Sequence, residues 1–341
     1  MPIMEQKDDF AHEIEDDPAW GESWYFVFYD PHANLSLLTG SRIRINQAVS
    51  EHSMTITLPD GRLAQMRVER PQDRMSDTDI EGGGLLYQRL EPMRRWRVQV
   101  DSEVEITEAD GRAGTARAAA DLIFDAVAPA IGTDGQKNSR KQEGVTAATA
   151  SATGRGHFDQ AGQWSGWVSV GDSRWELNPE VTFGMRDKSW GPRRWHATPA
   201  WRIIFANIDK VTHFGGICMM TDNGTMHRGW VWEDGKRASI ANWHIRTELA
   251  EDGLTHKVSH LTLTDKENET YEIKAELLRP IHFHMHSGER PFSEEVDLEA
   301  QKKSVVISGP TRFTYKGRVG YGQLEYQHLL DETGKAVYPI S

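Results

Sequence analysis

Alternation is the feature that most restricts how this chain can fold. Apolar and polar residues exchange places at every second position in Met54-Thr-Ile-Thr-Leu58, Trp96-Arg-Val-Gln-Val-Asp101 and Val104-Glu-Ile-Thr107. A period of two gives an extended strand one face of each kind, so the pattern predicts half-buried β-strands. Turn signals separate them, at Pro59-Asp60-Gly61, Asp110-Gly111, Asp222-Asn-Gly224 and Asp234-Gly235. Gly171-Asp172 stands between Trp167-Val-Ser-Val170 and Trp175-Glu-Leu177, which predicts a hairpin with a two-residue turn. Further strands are expected at Trp201–Ala206, Met226–Trp232, Tyr271–Ala275, Ile281–His286, Val305–Ile307 and Tyr321–Tyr326. Helical periodicity is confined to one short stretch, Phe292 to Lys303. Many short antiparallel strands joined by tight turns predict an all-β chain, barrel or sandwich. No glycine-rich loop follows a strand, so a dinucleotide or P-loop reading fails.

One segment breaks the pattern. Ala130 to Arg155 is polar and rich in small residues, with almost no large apolar side chain, and reads as a linker or exposed loop. It divides the 341 residues into two expected domains, 1–150 and 151–341.

Charge and composition then narrow the partners. Lys plus Arg number 39 against 51 Asp plus Glu, a net charge of −12, which argues against nucleic acid and against an anionic membrane surface. No apolar run is long enough for a transmembrane helix. The start, Met1-Pro-Ile-Met-Glu-Gln-Lys-Asp-Asp-Phe10, lacks the apolar centre of a secretory signal. Cys218 is the one cysteine, which excludes an internal disulfide and a multi-thiolate zinc site and fits the cytoplasm. Tryptophan is the unusual count, 12 against 11 Phe and 8 Tyr, and suggests that some indoles wall a cavity for a neutral or apolar small molecule.

The densest constellation is Gly184-Met-Arg-Asp-Lys-Ser-Trp-Gly-Pro-Arg-Arg-Trp195. On an extended chain Arg186 and Lys188 face one way, Asp187 and Ser189 the other. A carboxyl held among Trp190 and Trp195 would lose hydration and become a proton donor near neutral pH. The alternative is an Asp187 that pairs with an arginine and pins a strand end. His196 is a candidate acid/base partner, or else an ordinary loop histidine. Trp230 and Trp232 share a face and read as core or pocket wall, and Tyr25, in the run Trp24 to Tyr29, reads as buried strand or pocket lining. His282, His284 and His286 share one strand face about 6–7 Å apart. They read as a polar face, as an acid/base role for one of the three, or as a metal site, although a third ligand on one straight strand is hard to place. Arg94-Arg-Trp-Arg97 reads as a solvated face with paired charges, and Cys218, in an apolar stretch, as a buried inert thiol.

Several of these segments resemble one family. Glu22-Ser-Trp-Tyr-Phe-Val-Phe-Tyr-Asp-Pro31 resembles the opening strand of the carotenoid 1,2-hydratase-like, AttH-like tandem lipocalin-like superfamily, in its branch of paired uncharacterised domains. Phe158-Asp-Gln160, Gly166-Trp-Val-Ser-Val170 and Arg186-Asp-Lys-Ser-Trp-Gly-Pro-Arg193 resemble its second-domain signature, and Gly317-Arg-Val-Gly-Tyr-Gly-Gln-Leu-Glu325 its closing strand. The resemblance implies two lipocalin-like antiparallel β-barrels packed side by side, with few short helices. Characterised relatives include hydratases of isoprenoid alkenes and cyclases that fold polyenes for Diels–Alder closure. By motif, Asp187 matches the acid that protonates the alkene, with Trp190 and Trp195 as aromatic neighbours. Lys188 stands where the signature usually carries histidine.

The resulting expectation is a cofactor-independent hydratase, dehydratase, isomerase or cyclase acting on a hydrophobic, isoprenoid or polycyclic small molecule. Asp187 and His196 are its catalytic groups, and Tyr25, Arg186, Trp190, Trp195, Trp230, Trp232 and His284 contact the substrate. No metal and no organic cofactor is called for. The alternative is a non-catalytic carrier of a hydrophobic ligand with the same pocket.

Overall fold

The structure, a computed structural model, describes residues 1–76, 78–108, 111–134, 154–192, 200–221, 224–284 and 304–339, with only the backbone at Thr221 and His284. The described chain is almost entirely strand. Two short 3-10 turns, Gln6–Asp9 and Ile45–Gln47, are the helical pieces among the described residues. The stretch Phe292 to Lys303 lies outside them.

The first strands are β1 (Trp20–Asp30), β2 (Leu35–Arg44), β3 (Val49–Thr57), β4 (Leu63–Pro71), β5 (Asp79–Gly82), β6 (Leu85–Glu91), β7 (Arg95–Thr107), β8 (Ala113–Ala126), β9 (Ile131–Asp134), β10 (Gly156–Val170), β11 (Ser173–Leu177) and β12 (Phe183–Pro192). All described pairings are antiparallel. The path β10-β12-β1-β2-β3-β4-β7 closes because β8 pairs with both β7 and β10. β5 and β6 extend from β7, and β9 and β11 from β10. The hairpin expected at Gly171-Asp172 joins β10 to β11, with Val170 opposite Ser173 and Gly171 at φ +57°.

The remaining strands are β13 (Ala200–Asp209), β14 (Thr212–Thr221), β15 (Gly224–Glu233), β16 (Lys236–Leu249), β17 (His256–Asp265), β18 (Thr270–Leu277), β19 (Ile281–His284), β20 (Ser304–Ser308), β21 (Pro310–Tyr315) and β22 (Arg318–Leu329). They close a second ring, β13-β14-β15-β16-β17-β18-β21-β22, through the pairing of β22 with β13. Closure removes the sheet edges that alternating strands would otherwise expose.

Alternation fills both interiors. Trp24, Phe26 and Phe28 of β1 meet Leu37, Ile56, Trp96, Phe124 and Trp164 in the first core. Ile204, Phe214, Val231, Leu261, Ile273, Phe313 and Leu324 form the second. The outer face of the first ring carries Arg95, Arg97 and Arg117, each held by two hydrogen bonds to Asp125, Asp121 and Asp101 respectively. The basic cluster at 94–97 is thus a face of paired charges.

The division of the chain differs from the expectation. A boundary near residue 150 falls outside the described residues, and the strands beyond it, β10 to β12, pair within the first ring. Over the described residues the compact units are 2–134 with 155–192, and Met1 with Gly154 and the described part of 200–339. The polar linker therefore lies between two parts of one barrel, and the Arg186-Asp187-Lys188 motif belongs to the first unit.

Candidate functional site

β12 is the middle strand of the site, with β1 on one side and β10 on the other. Tyr25 and Asp159 are the Cα partners of Asp187. The fit is close. A Cβ on Gly184 would sit 1.9 Å from the Val27 carbonyl oxygen and 2.6 Å from the Trp164 indole nitrogen, so glycine alone lets β12 approach β1 here. Register then decides which groups meet. Asp187, Asp159 and Tyr25 form one row, and His157, Ser189 and Ser23 the next, all on the face turned away from Phe26 and Trp24.

His157 is the centre of this face. Its Nε2 lies 3.1 Å from Asp159 Oδ1 and also contacts Asp187 Oδ2. Asp159 is 1% exposed, Asp187 14% and His157 27%. Burial works against a charged imidazole, yet the two carboxylates outweigh it and push His157 up to about 10. The ring is therefore an imidazolium at neutral pH, with one buried and one accessible carboxylate. Ser23 and Ser189, on the same face, share a hydrogen bond of 2.6 Å.

The trio also meets the donor count of a metal site, since its ligand atoms lie within 4.8 Å of one another. Both carboxylates approach the same imidazole nitrogen, Nε2 of His157. Without an ion, that geometry lets one proton be shared among the three groups.

The other face of β12 is a buried charge network. Arg186 Nη1 donates to Asp9 Oδ1 (2.7 Å) and Nε to Gln160 Oε1 (2.7 Å), and both ionic partners are at most 1% exposed. Lys188 Nζ donates to the carbonyls of Phe10 (2.5 Å) and Asp8 (3.2 Å) and lies 3.5 Å from Glu22 Oε1. Desolvation lowers its pKa despite the pull of Glu22 and Asp9. Asp9 is held below the usual carboxylate range, because Arg186, the Met93 amide and Arg89 outweigh its burial. Residues 5–12 thus fasten the inner face of the strand whose outer face carries Asp187.

The structure sorts the expected residues. Tyr25 and Asp187 are brought together. Arg186, expected to contact the substrate, is buried on the opposite face, bonded to Asp9 and Gln160. Trp190 is on that face too, stacked on His12 with ring centroids 3.8 Å apart and packed with Met4, Ala130 and Phe158. The expected setting of Asp187 against Trp190 is therefore replaced by an imidazole and a second carboxylate. The reason is alternation: residues 187 and 190 differ by three, so they project to opposite faces. Among the described residues the ionic partner of Asp187 is His157, not a guanidinium. Trp230 and Trp232 lie in the other unit, on the face of β15 turned away from Val231 and its core. Trp195 and His196 lie outside the described residues, and His284 is placed by its backbone alone, on β19 opposite Val305. His282 Nε2 accepts or donates at 3.0 Å to Thr255 Oγ1, 3.9 Å from Asp252. Cys218 is buried, and burial raises its thiol to about 11.

His157 and Asp159 are the residues that sequence reading missed. Their signal is the triplet His157-Phe158-Asp159, whose outer members share a strand face, but only the register of β10 against β12 links it to Asp187.

Solved structures share this fold over nearly the whole chain. A putative AttH from Nitrosomonas europaea is 16% identical with a TM-score of 0.60, covering 94% of this chain and 95% of that one. Kievitone hydratase from Nectria haematococca is 11% identical with a TM-score of 0.56, covering 95% and 93%. CghA, crystallised with Sch210972, is 12% identical with a TM-score of 0.56, covering 93% of each chain. The AttH-like fold expected from the motifs is the fold of this chain. No curated protein matches its sequence. A family model described as a domain of unknown function, DUF7064, matches residues 5–330.

Proposed function

The chain belongs to the DUF7064 family, and we propose that its first barrel carries a cofactor-independent proton-transfer site for an apolar small molecule. The observation that carries this reading is the single imidazole shared by a buried and an accessible carboxylate. Asp159 orients His157 from below. Asp187, the more accessible carboxylate, is the group that meets the substrate, and the proton it delivers is drawn from His157 Nε2, which contacts its Oδ2.

The direction of transfer follows from solvation. In the free protein the ion pair is favoured, and the proton rests on the imidazole. An apolar ligand laid over Asp187 removes water from both partners, and a low dielectric favours the neutral pair of imidazole and carboxylic acid. Covering the site thus moves the proton to the carboxylate that faces the ligand. Protonation of an alkene carbon from there leads to hydration, isomerisation or cyclisation, and return of a proton to Asp187 gives dehydration. The fold shared with a hydratase supports hydration or dehydration as the first reaction to test. Tyr25, on the Asp187 row, is the adjacent substrate contact.

The test is solvent deuterium incorporation. Incubating the full chain in D₂O with a panel of isoprenoid and polycyclic alkenes, and following the mass of each, detects carbon protonation whatever product forms. Deuterium is expected to enter with the native protein and to fall at least about 100-fold in Asp187→Asn and His157→Gln. Ligands that bind without exchange would leave a carrier rather than an enzyme, and exchange unaltered in both variants would remove Asp187 and His157 as the proton donors.

A further inference from the structure

Three side chains from two neighbouring strands bring one nitrogen and two oxygens to a single place. His157 and Asp159 stand two positions apart on β10, and β12 supplies Asp187 opposite Asp159. A third donor is hard to take from one straight strand, and here strand pairing brings it from the next. One ligand atom from each of the three lies within 4.8 Å of the others. His157 Nε2 and Asp159 Oδ1 are 3.1 Å apart. Two donors that each hold a zinc-sized ion at about 2.1 Å stand about 3–3.5 Å from one another in a tetrahedral shell, so this pair already has the spacing an ion needs. The Asp187 carboxylate touches Nε2 and is the more accessible of the two, at 14% exposure against 1%, so it is the donor able to draw back and admit the ion.

Charge points the same way. Two carboxylates and a neutral imidazole carry two negative charges, and one shared proton balances only one of them. A dication balances both, on a face where Asp159 is sealed from water. The cations of β12, Arg186 and Lys188, project to the opposite face, beside Asp9 and Glu22. An imidazole in the donor set favours a first-row transition ion over calcium and magnesium, which take oxygen donors. Three protein donors leave the accessible side of such an ion to water or a ligand.

We infer that His157, Asp159 and Asp187 form a binding site for one divalent first-row transition ion. The ion takes the place of the shared proton and withholds it from any ligand, a consequence that rests on the proton-transfer reading; the binding itself does not.

Isothermal titration of the full chain with zinc chloride and with cobalt chloride, after removal of bound metal with a chelator and in a non-coordinating buffer, tests the inference. Saturable one-to-one binding is expected. Affinity is expected to fall at least about tenfold in Asp187→Asn and in His157→Gln, and bound cobalt to show visible d–d bands that both variants lose. Nitrogen-15 NMR gives a readout that needs no variant, since saturating zinc is expected to leave the His157 ring neutral and metal-bound. Absence of saturable binding to the native protein overturns the proposal, and so does a His157 signal that zinc does not move. Equal binding in both variants, an adventitious ion only, overturns it as well. The heat measured in buffers of different ionisation enthalpy separates the two readings: about one proton released per ion supports both, whereas binding without proton release supports the metal site and contradicts the shared proton.

Discussion

At the scale of single residues, the proton on His157 is set by two neighbours of different character. Asp159 is sealed, and Asp187 is accessible. Asp159→Asn is expected to lower the His157 pKa from about 10 toward its ordinary 6.5 while leaving Asp187 in place, which a histidine titration followed by NMR would show. A midpoint unchanged in that variant would remove Asp159 from the relay. Asp187 was legible in the sequence because it sits in a dense motif. Its partner was not, because His157 is 30 positions away and is brought to it only by strand register. Trp190 was read as a neighbour of Asp187 because proximity along the chain was weighed above the parity of the strand.

At the scale of elements, β12 is fixed from both faces. Gly184→Ala is expected to destabilise the protein by about 1–3 kcal/mol or more, since the added methyl meets the Val27 backbone rather than a flexible side chain. Urea unfolding measures this, and an unchanged midpoint would mean that β1 and β12 can separate without loss. Asp9→Asn strands the buried Arg186 and is expected to cost about 3–5 kcal/mol by the same measurement. The N-terminal segment was invisible to pattern reading, because Glu5 to His12 has neither a period of two nor a helical one. Its role appears only from what its carboxylate and carbonyls meet. The hairpin at Gly171-Asp172 was legible, because a glycine able to take positive φ stood between two alternating runs.

At the scale of the whole molecule, alternation and closure were readable together: strands with one apolar face and tight turns have few alternatives to barrels. Where one ring ends and the next begins was not, since a polar linker marks a loop without telling which sheet its flanks join. The histidines make the pH response two-sided. His52, His213 and His256 are buried and depressed to about 4, so the unfolded chain binds more protons between about 6.5 and 4, and stability falls as pH drops through that window. His157 has the opposite sign. Its contribution is complete below 6.5 and is lost as pH rises through about 10. Thermal unfolding across this range should trace a dome whose alkaline limb flattens in His157→Gln, and a limb identical in that variant would mean that other groups produce it.

His157 keeps a proton between Asp159 and Asp187, ready for the more accessible carboxylate. Nitrogen-15 NMR of the histidine rings as a function of pH observes that proton directly. An imidazolium signal for His157 is expected to persist through neutral pH to a midpoint near 10, and that midpoint to fall in Asp187→Asn. A His157 ring that is neutral at pH 8 in the native protein would contradict it.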